Sequence, residues 1–452
     1  MSDTPDALTA AEFAQLWRQP PHEAIATMQS RSKLLASYNW QDVYADEHLR
    51  NFTVSRLACL DTLQAVYEAV QRATAGDLSR RDFIREVEQT LRNKGWWGLN
   101  AVVDPATGET VQTHFNPSRL QLIYDTNTRA AHAAGQWQRI QRNKHLYPYL
   151  RYVTVGDEHV RPEHARWHNL TLPVDHPLWQ QIYPPNGWRC RCRVVAMRQE
   201  EVDAGASPTG APLRTEPPQE QPREWINRRT GEVRQIVPGV SPGFDYNVGQ
   251  ASLARTGQML LDKAAGGDAR LGALAVAQAL QNPGLLDAVA EDFAAFARRW
   301  MDAVDHAEQG TAPLRLVNEL RHVGALSDAA LLRLAGLREL PQSAIISVRA
   351  EDVTHTFRGS KTGALPRDWY LQLPRHLREP QAVLFDGSKP NYPAVLLVYP
   401  LPDGPQGQKL VVELDYKTKD GREKIITNVL RSGRVDYLSN LKNMLVLDGT
   451  LQ

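Results

Sequence analysis

Four histidines and two of the chain's three cysteines fall between Tyr152 and Val195, at His159, His164, His168, His176, Cys190 and Cys192. His164 and His168 are four residues apart, and Pro162 just before them suits the first turn of a helix. A helix opened there would set both imidazoles on one face. Cys190 and Cys192, two apart, suit an extended strand or a tight knuckle. Two imidazole nitrogens and two thiolates brought together are a ligand set for a tetrahedral structural zinc. The spacing departs from that of a zinc finger, because C-x-C is tighter than the usual pair and the histidines come first. A disulfide between Cys190 and Cys192 would close a strained small ring. The alternative is two buried thiols, with the histidines hydrogen-bonded to nearby carbonyls.

A second set of chemically capable groups lies in the C-terminal third: His355, Arg358, Lys361, Arg375, Lys417, Thr427, Asn428 and Arg431. No carboxylate cluster or Cys/His set for a metal accompanies them. Metal-free RNA cleavage needs a base near the ribose hydroxyl, an acid at the leaving oxygen and cations on the phosphate. His355 is the candidate base or acid, because histidine is the side chain suited to proton transfer near neutral pH. Lys361, Arg375 and Lys417 would hold phosphate, and Thr427 and Asn428 would position the scissile group. No cofactor is expected for that chemistry. The alternative is that His355 caps its helix and the basic residues are ordinary surface charge.

The elements that would carry these groups are legible as patterns. Residues 8–36 predict one or two helices, with Thr9 and Glu12 as a capping box before Phe13, Leu16 and Trp17. Residues 46–74 predict one long helix containing Cys59 as core. Ser79 caps a helix burying Phe83, Val87 and Leu91. Asn116-Pro117 opens the longest helix, Arg119 to Lys144, whose basic face (Arg129, Arg139, Arg142, Lys144) is either solvated or a lining for a portal or DNA. Tyr149–Val155 alternates as a strand, and Arg191–Val195 is its expected partner, which puts the cysteines at the end of a small antiparallel sheet. Residues 200–250 are rich in proline and read as a linker, with a β-turn at Asn227–Glu232. Residues 251–340 read as a helical spacer, its last helix capped by Ser327. Four runs then predict an antiparallel meander: Gln381–Asp386, Ala394–Tyr399, Lys409–Tyr416 and Lys424–Leu430, joined by Asp-Gly turns. Helices precede it, at Glu351–Phe357 and Asp368–Leu373.

The chain has 452 residues and a net charge of +1, from 52 basic and 51 acidic side chains. That length bounds two or three domains. The balanced charge argues against a globally basic coat for nucleic acid, so any such contact is local. Three cysteines fit a reducing compartment. The first residues lack the basic and apolar regions of a signal peptide, and no apolar run is long enough to span a membrane, so neither export nor membrane association is expected.

The order DEHVRPEHARWH, then PVDHPLW, then YPPNGWRCRCR, resembles the signature of the phage Mu F-like head morphogenesis family. The likeness covers roughly the first 200 residues, and its specific part is Asp157–Arg193. It implies a minor head protein near the portal vertex, with portal and capsid proteins as partners, packaged DNA as a further contact, and the virion head or host cytoplasm as its location. The helix-then-four-strand order from about Pro341 is similar to the barnase–EndoU–colicin–RelE nucleases. It implies RNA, tRNA among it, as substrate, with only His355 carried over from the likeness. The expected architecture is multidomain. A mainly α head-morphogenesis domain with a small β element spans 1–199, a linker 200–250 and a helical middle unit 251–340. An α+β domain with an antiparallel sheet spans 341–452. The competing reading is a wholly structural head protein whose last domain is an interaction module.

Overall fold

The computed structural model describes residues 21–31, 33–219, 221–359, 365–389, 391–402 and 404–451. The expected helix around Phe13, Leu16 and Trp17, and Lys361, lie outside them. The chain divides into two compact units, at Ser252/Leu253.

The first unit is mainly helical. Helices at His22–Gln29, Leu60–Ala75, Arg80–Asn93 and Pro117–Asn143 bury Leu63, Val70, Phe83, Leu120 and Ile123 in one core. The long helix starts as the sequence implies: Asn116 accepts a hydrogen bond from the Arg119 backbone N–H, and Pro117 occupies the first turn. Ser79 caps its helix through the Asp82 N–H. The single helix expected over 46–74 does not form. Ala45–Leu49 is a 3-10 turn, and strand β2 (Asn51–Phe52) pairs in parallel with β1 (Lys33–Leu34). Arg56 then adopts a left-handed backbone, φ 64°, and the helix begins only after Cys59, its N-cap. Phe52, Val54 and Leu57 still reach the core, which is why their spacing imitated a helix.

Strands β3 (Gly98–Val103) and β4 (Thr110–Phe115) form a hairpin. Strands β5 (Tyr149–Val153), β6 (Thr171–Pro173) and β7 (Arg193–Met197) form the small antiparallel sheet, with Val153 opposite Arg193, so the cysteines sit at its end as expected.

Residues 200–250 are not a linker. Strands β8 (Arg223–Ile226) and β9 (Val233–Ile236) make a hairpin around the expected turn, and the segment is built into the first unit. Trp225 stacks on Tyr44 at 4.9 Å, and Tyr44 Oη donates to Asp245 at 2.7 Å. Arg229 pairs with Asp42 at 2.6 Å and Asp104 at 2.8 Å, while Val237, Val240 and Phe244 are buried. The prolines shape the backbone, and the apolar residues between them dock it.

The second unit holds helices Ala269–Ala279, Pro283–Glu308 and Asp328–Gly336 against a seven-stranded sheet. Its strands are β10 (Leu320–Ala325), β11 (Ile345–Arg349), β12 (Ala382–Asp386), β13 (Ala394–Pro400), β14 (Gln406–Asp420), β15 (Glu423–Tyr437) and β16 (Leu445–Gly449). Their order is β10-β11-β15-β14-β13-β12-β16, parallel at β11–β15 and antiparallel elsewhere. The four expected strands form the meander β12–β15. The separation into a helical spacer and a domain starting at 341 does not hold. Phe293, Phe296, Ala297 and Met301 from the helices share one core with Val323, Ile346, Leu397, Leu410 and Leu430 from the sheet. On the other face, Leu384, Leu396 and Val398 pack with Leu438 and Leu441. β13 is therefore covered on both faces, which explains its unbroken apolar run.

Candidate metal centre

Pro162 opens a helix of one turn, Pro162–Ala165, and His164 sits inside it. The chain then bends, and Asn169 takes a left-handed conformation, φ 63°. Because the helix ends before a second turn, His168 does not share a face with His164. Its Nδ1 instead accepts from the Thr154 backbone N–H at 3.2 Å and lies 2.9 Å from Thr154 Oγ1. The expected four-residue set is corrected to three: His164, Cys190 and Cys192 converge, with ligand atoms within 4.8 Å of one another.

The other arm is set by backbone. Arg189 is left-handed, φ 61°, and the Cys190 N–H donates to Gly187 O at 3.1 Å, which turns both thiols back toward His164. The basic side of the long helix anchors this arm: Arg129 donates to Cys190 O at 3.0 Å and Gln136 to Val194 O at 2.9 Å. Farther along, Arg139 and Arg142 pair with Glu23, and Lys144 with Asp175. That side is engaged within the protein rather than presented to DNA.

His164 is 2% exposed, and its ring stacks on Trp167 at 5.3 Å. Its Nε2 lies 2.9 Å from Gly239 O. A carbonyl only accepts, so Nε2 carries the proton and Nδ1 turns its lone pair to the sulfurs, the usual arrangement of a metal-bound imidazole. Nδ1 is 3.5 Å from Cys192 Sγ and 3.8 Å from Cys190 Sγ. Zinc bonds of about 2.3 Å to sulfur and about 2.0–2.1 Å to nitrogen give tetrahedral S···N edges of about 3.6 Å. The residues fit that ion without rearrangement. Hydrogen bonding to Cys192 holds the Cys190 thiol well below the usual thiol range despite burial, and Cys192, its partner in that bond, is pushed up. His159 lines the same small cavity.

Three contributors escaped sequence reasoning. Tyr152 is buried beside Cys192 and hydrogen-bonds it. His159 was counted but given no role. Gly239 is remote in sequence, so no local spacing signals it. Its φ is +98°, and an added Cβ would stand 2.8 Å from Glu163 Cβ and 2.9 Å from the Trp167 ring. Gly239→Ala is expected to cost about 1–3 kcal/mol from backbone strain and crowding, read as a lower urea midpoint together with weaker metal retention.

In the second group of expected site residues, Thr427, Asn428 and Arg375 are each engaged within the fold. Thr427 is 1% exposed, 2.7 Å from Ser347 Oγ, and Asn428 is fully buried. Asn428 donates to Ser343 O at 2.7 Å and Ile345 O at 3.1 Å and accepts from the Asp415 N–H. Both hold β15 to β11 and neither faces a substrate. Arg375 pairs with Asp287 at 2.5 Å. His355 and Lys417 are exposed. Asp262, His322 and Ser347 form a chain of contacts at 3.8 and 2.8 Å, but Ser347 is wholly buried, so no substrate reaches its hydroxyl.

Among the described residues no helix is long and apolar enough to cross a membrane. No solved structure matches the chain. Over 273 residues it is 36% identical to a protein of Escherichia phage Mu named capsid assembly protein F, covering 56% of this chain and 59% of that one. It is 32% identical over 227 residues to the Mu-like prophage FluMu F protein of Haemophilus influenzae, covering 48% and 53%. The chain thus spans little more than half the length of the relatives it matches. An uncharacterized protein of Methanocaldococcus jannaschii is 42% identical over 48 residues, 10% of this chain and 7% of that one. The family model described as Phage Mu protein F like protein matches residues 64–195. His164, Cys190 and Cys192 all lie within the residues that this family model matches.

Proposed function

We propose that this chain is a head assembly protein of a tailed phage, whose first unit is locked by one structural zinc on His164, Cys190 and Cys192. The observation that carries this reading is the convergence of those three ligand atoms inside the segment matched by the phage family. Bound zinc would supply a cross-link and no reaction. His164 ties the one-turn helix and, through Gly239, the hairpin segment, while the cysteines tie the end of β7. His159 or water would complete the coordination. The partners are portal and other capsid proteins, and the location is the virion head or the host cytoplasm.

A ribonuclease reading of the second unit would rest on His355, Arg375 and Lys417 without Thr427 and Asn428, and no observation favours it over an assembly role. Nor does any observation favour packaged DNA as a partner. The test is head formation. A phage whose copy carries Cys190→Ser with Cys192→Ser should yield at least about tenfold fewer intact heads by electron microscopy, in line with loss of a structural site. Normal head numbers from that variant would overturn the reading.

A further inference from the structure

A cavity of about 180 Å³ opens in the first unit, larger than an engineered cavity of about 150 Å³ that binds benzene. Its walls are largely aromatic and aliphatic, with Trp40, Trp188 and Phe244 among them, and no Asp or Glu among the described residues lines it. Two guanidiniums do. Arg31 is 4% exposed and donates to Asn127 Oδ1 at 2.6 Å, but its Nε has no partner. Arg119 donates to Thr113 Oγ1 and to Ser55 O, both neutral. No carboxylate pairs with either among the described residues. Thr126 Oγ1, on the same wall, is buried without a partner.

An uncompensated buried cation is costly, and a protein keeps one where an anion will neutralise it. Burial lowers the pKa of both arginines, Arg119 to about 10 with the neighbouring Arg56 adding to the shift. His48, beside them, is lowered to about 4 by burial and by Arg31, so it is neutral and adds a hydrogen-bonding group rather than charge.

We infer that this cavity binds a small amphipathic organic anion, its charge met by the guanidiniums of Arg31 and Arg119 on the walls and its flat apolar body among Trp40, Trp188 and Phe244. Guanidiniums suit an oxyanion because their planar donors match its geometry. The apolar walls exclude water and strengthen that pairing. The metal reading plays no part in this assignment.

The test uses the full chain and two dyes sharing an aromatic body. Anilinonaphthalene sulfonate carries an anion and N-phenylnaphthylamine does not. The sulfonate should bind saturably at one site per chain, at least about tenfold more tightly than the neutral dye. Arg119→Gln should weaken it about tenfold or more, the scale of one charge-assisted hydrogen bond, and leave the neutral dye unchanged. Trp188→Ala, at the mouth, should weaken both dyes alike, and it keeps the test decisive if Arg119→Gln fails to fold. Equal affinity for the two dyes overturns the anion site. So does sulfonate binding unmoved by Arg119→Gln, and dye binding indifferent to Trp188→Ala overturns the location.

Discussion

Cys190→Ser and Cys192→Ser should each release close to one zinc per chain, and unfolding free energy should fall by about 4 kcal/mol, the value for a ligand held at roughly a thousandfold its dissociation constant. The geometry sets this expectation. A tetrahedral site that loses one sulfur keeps one thiolate, His164 and at most His159, and the remaining buried thiol and imidazole lose part of the charge that held them together. His168→Ala should leave zinc content unchanged, because His168 faces Thr154. The measurement is elemental analysis of tag-free protein with a urea titration of each variant. Full zinc retention by Cys190→Ser would contradict the ligand set. Zinc loss on His168→Ala with Cys190→Ser silent would restore a different one.

The second large effect concerns where the second unit begins. A fragment from Leu253 to Gln452 should unfold cooperatively, and one from Pro341 to Gln452 should not fold. The shorter fragment lacks β10 and the helix that buries Phe293, Phe296, Trp300 and Met301 against the sheet. At roughly 1.5–3 kcal/mol for each large apolar side chain, losing those four amounts to about 6–12 kcal/mol, as much as a whole domain's stability. In the full chain, Phe293→Ala should cost about 3–5 kcal/mol, since the ring is fully buried between Phe296 and Tyr370. Circular dichroism against urea reads both. A cooperative transition in the Pro341 fragment would restore the boundary expected from composition.

The pattern of what was legible follows from range. The meander could be read because each strand carries its own alternating or continuous apolar run and each turn its own Asp-Gly, all local signals. The capped helices at Ser79, Asn116 and Ser327 could be read for the same reason. β10 could not, because Leu320-Arg321-His322-Val323-Gly324-Ala325 is polar and interrupted, and only pairing with β11 makes it a strand. The proline count of residues 200–250 outweighed Trp225, Val237, Val240 and Phe244, although those four decide where the segment lies.

At the metal centre, the cysteine pair and His164 were visible as residue types at close spacing. The choice of partner histidine was not. An i, i+4 argument assumes a second helical turn, and the chain leaves the helix after one. Gly239, which fixes the His164 tautomer from 75 positions away in sequence, has no local signature. Thr427 and Asn428 show the converse error. Polar residues near a strand end look available, yet a parallel pairing between β11 and β15 consumes both side chains.

If His164, Cys190 and Cys192 hold one zinc, X-ray absorption at the zinc edge of the tag-free protein should find about one zinc per chain with two sulfurs at about 2.3 Å and the remaining nitrogen or oxygen ligands at about 2.0–2.2 Å. Protein free of zinc after purification in zinc-supplemented buffer, or a shell without sulfur, would contradict it.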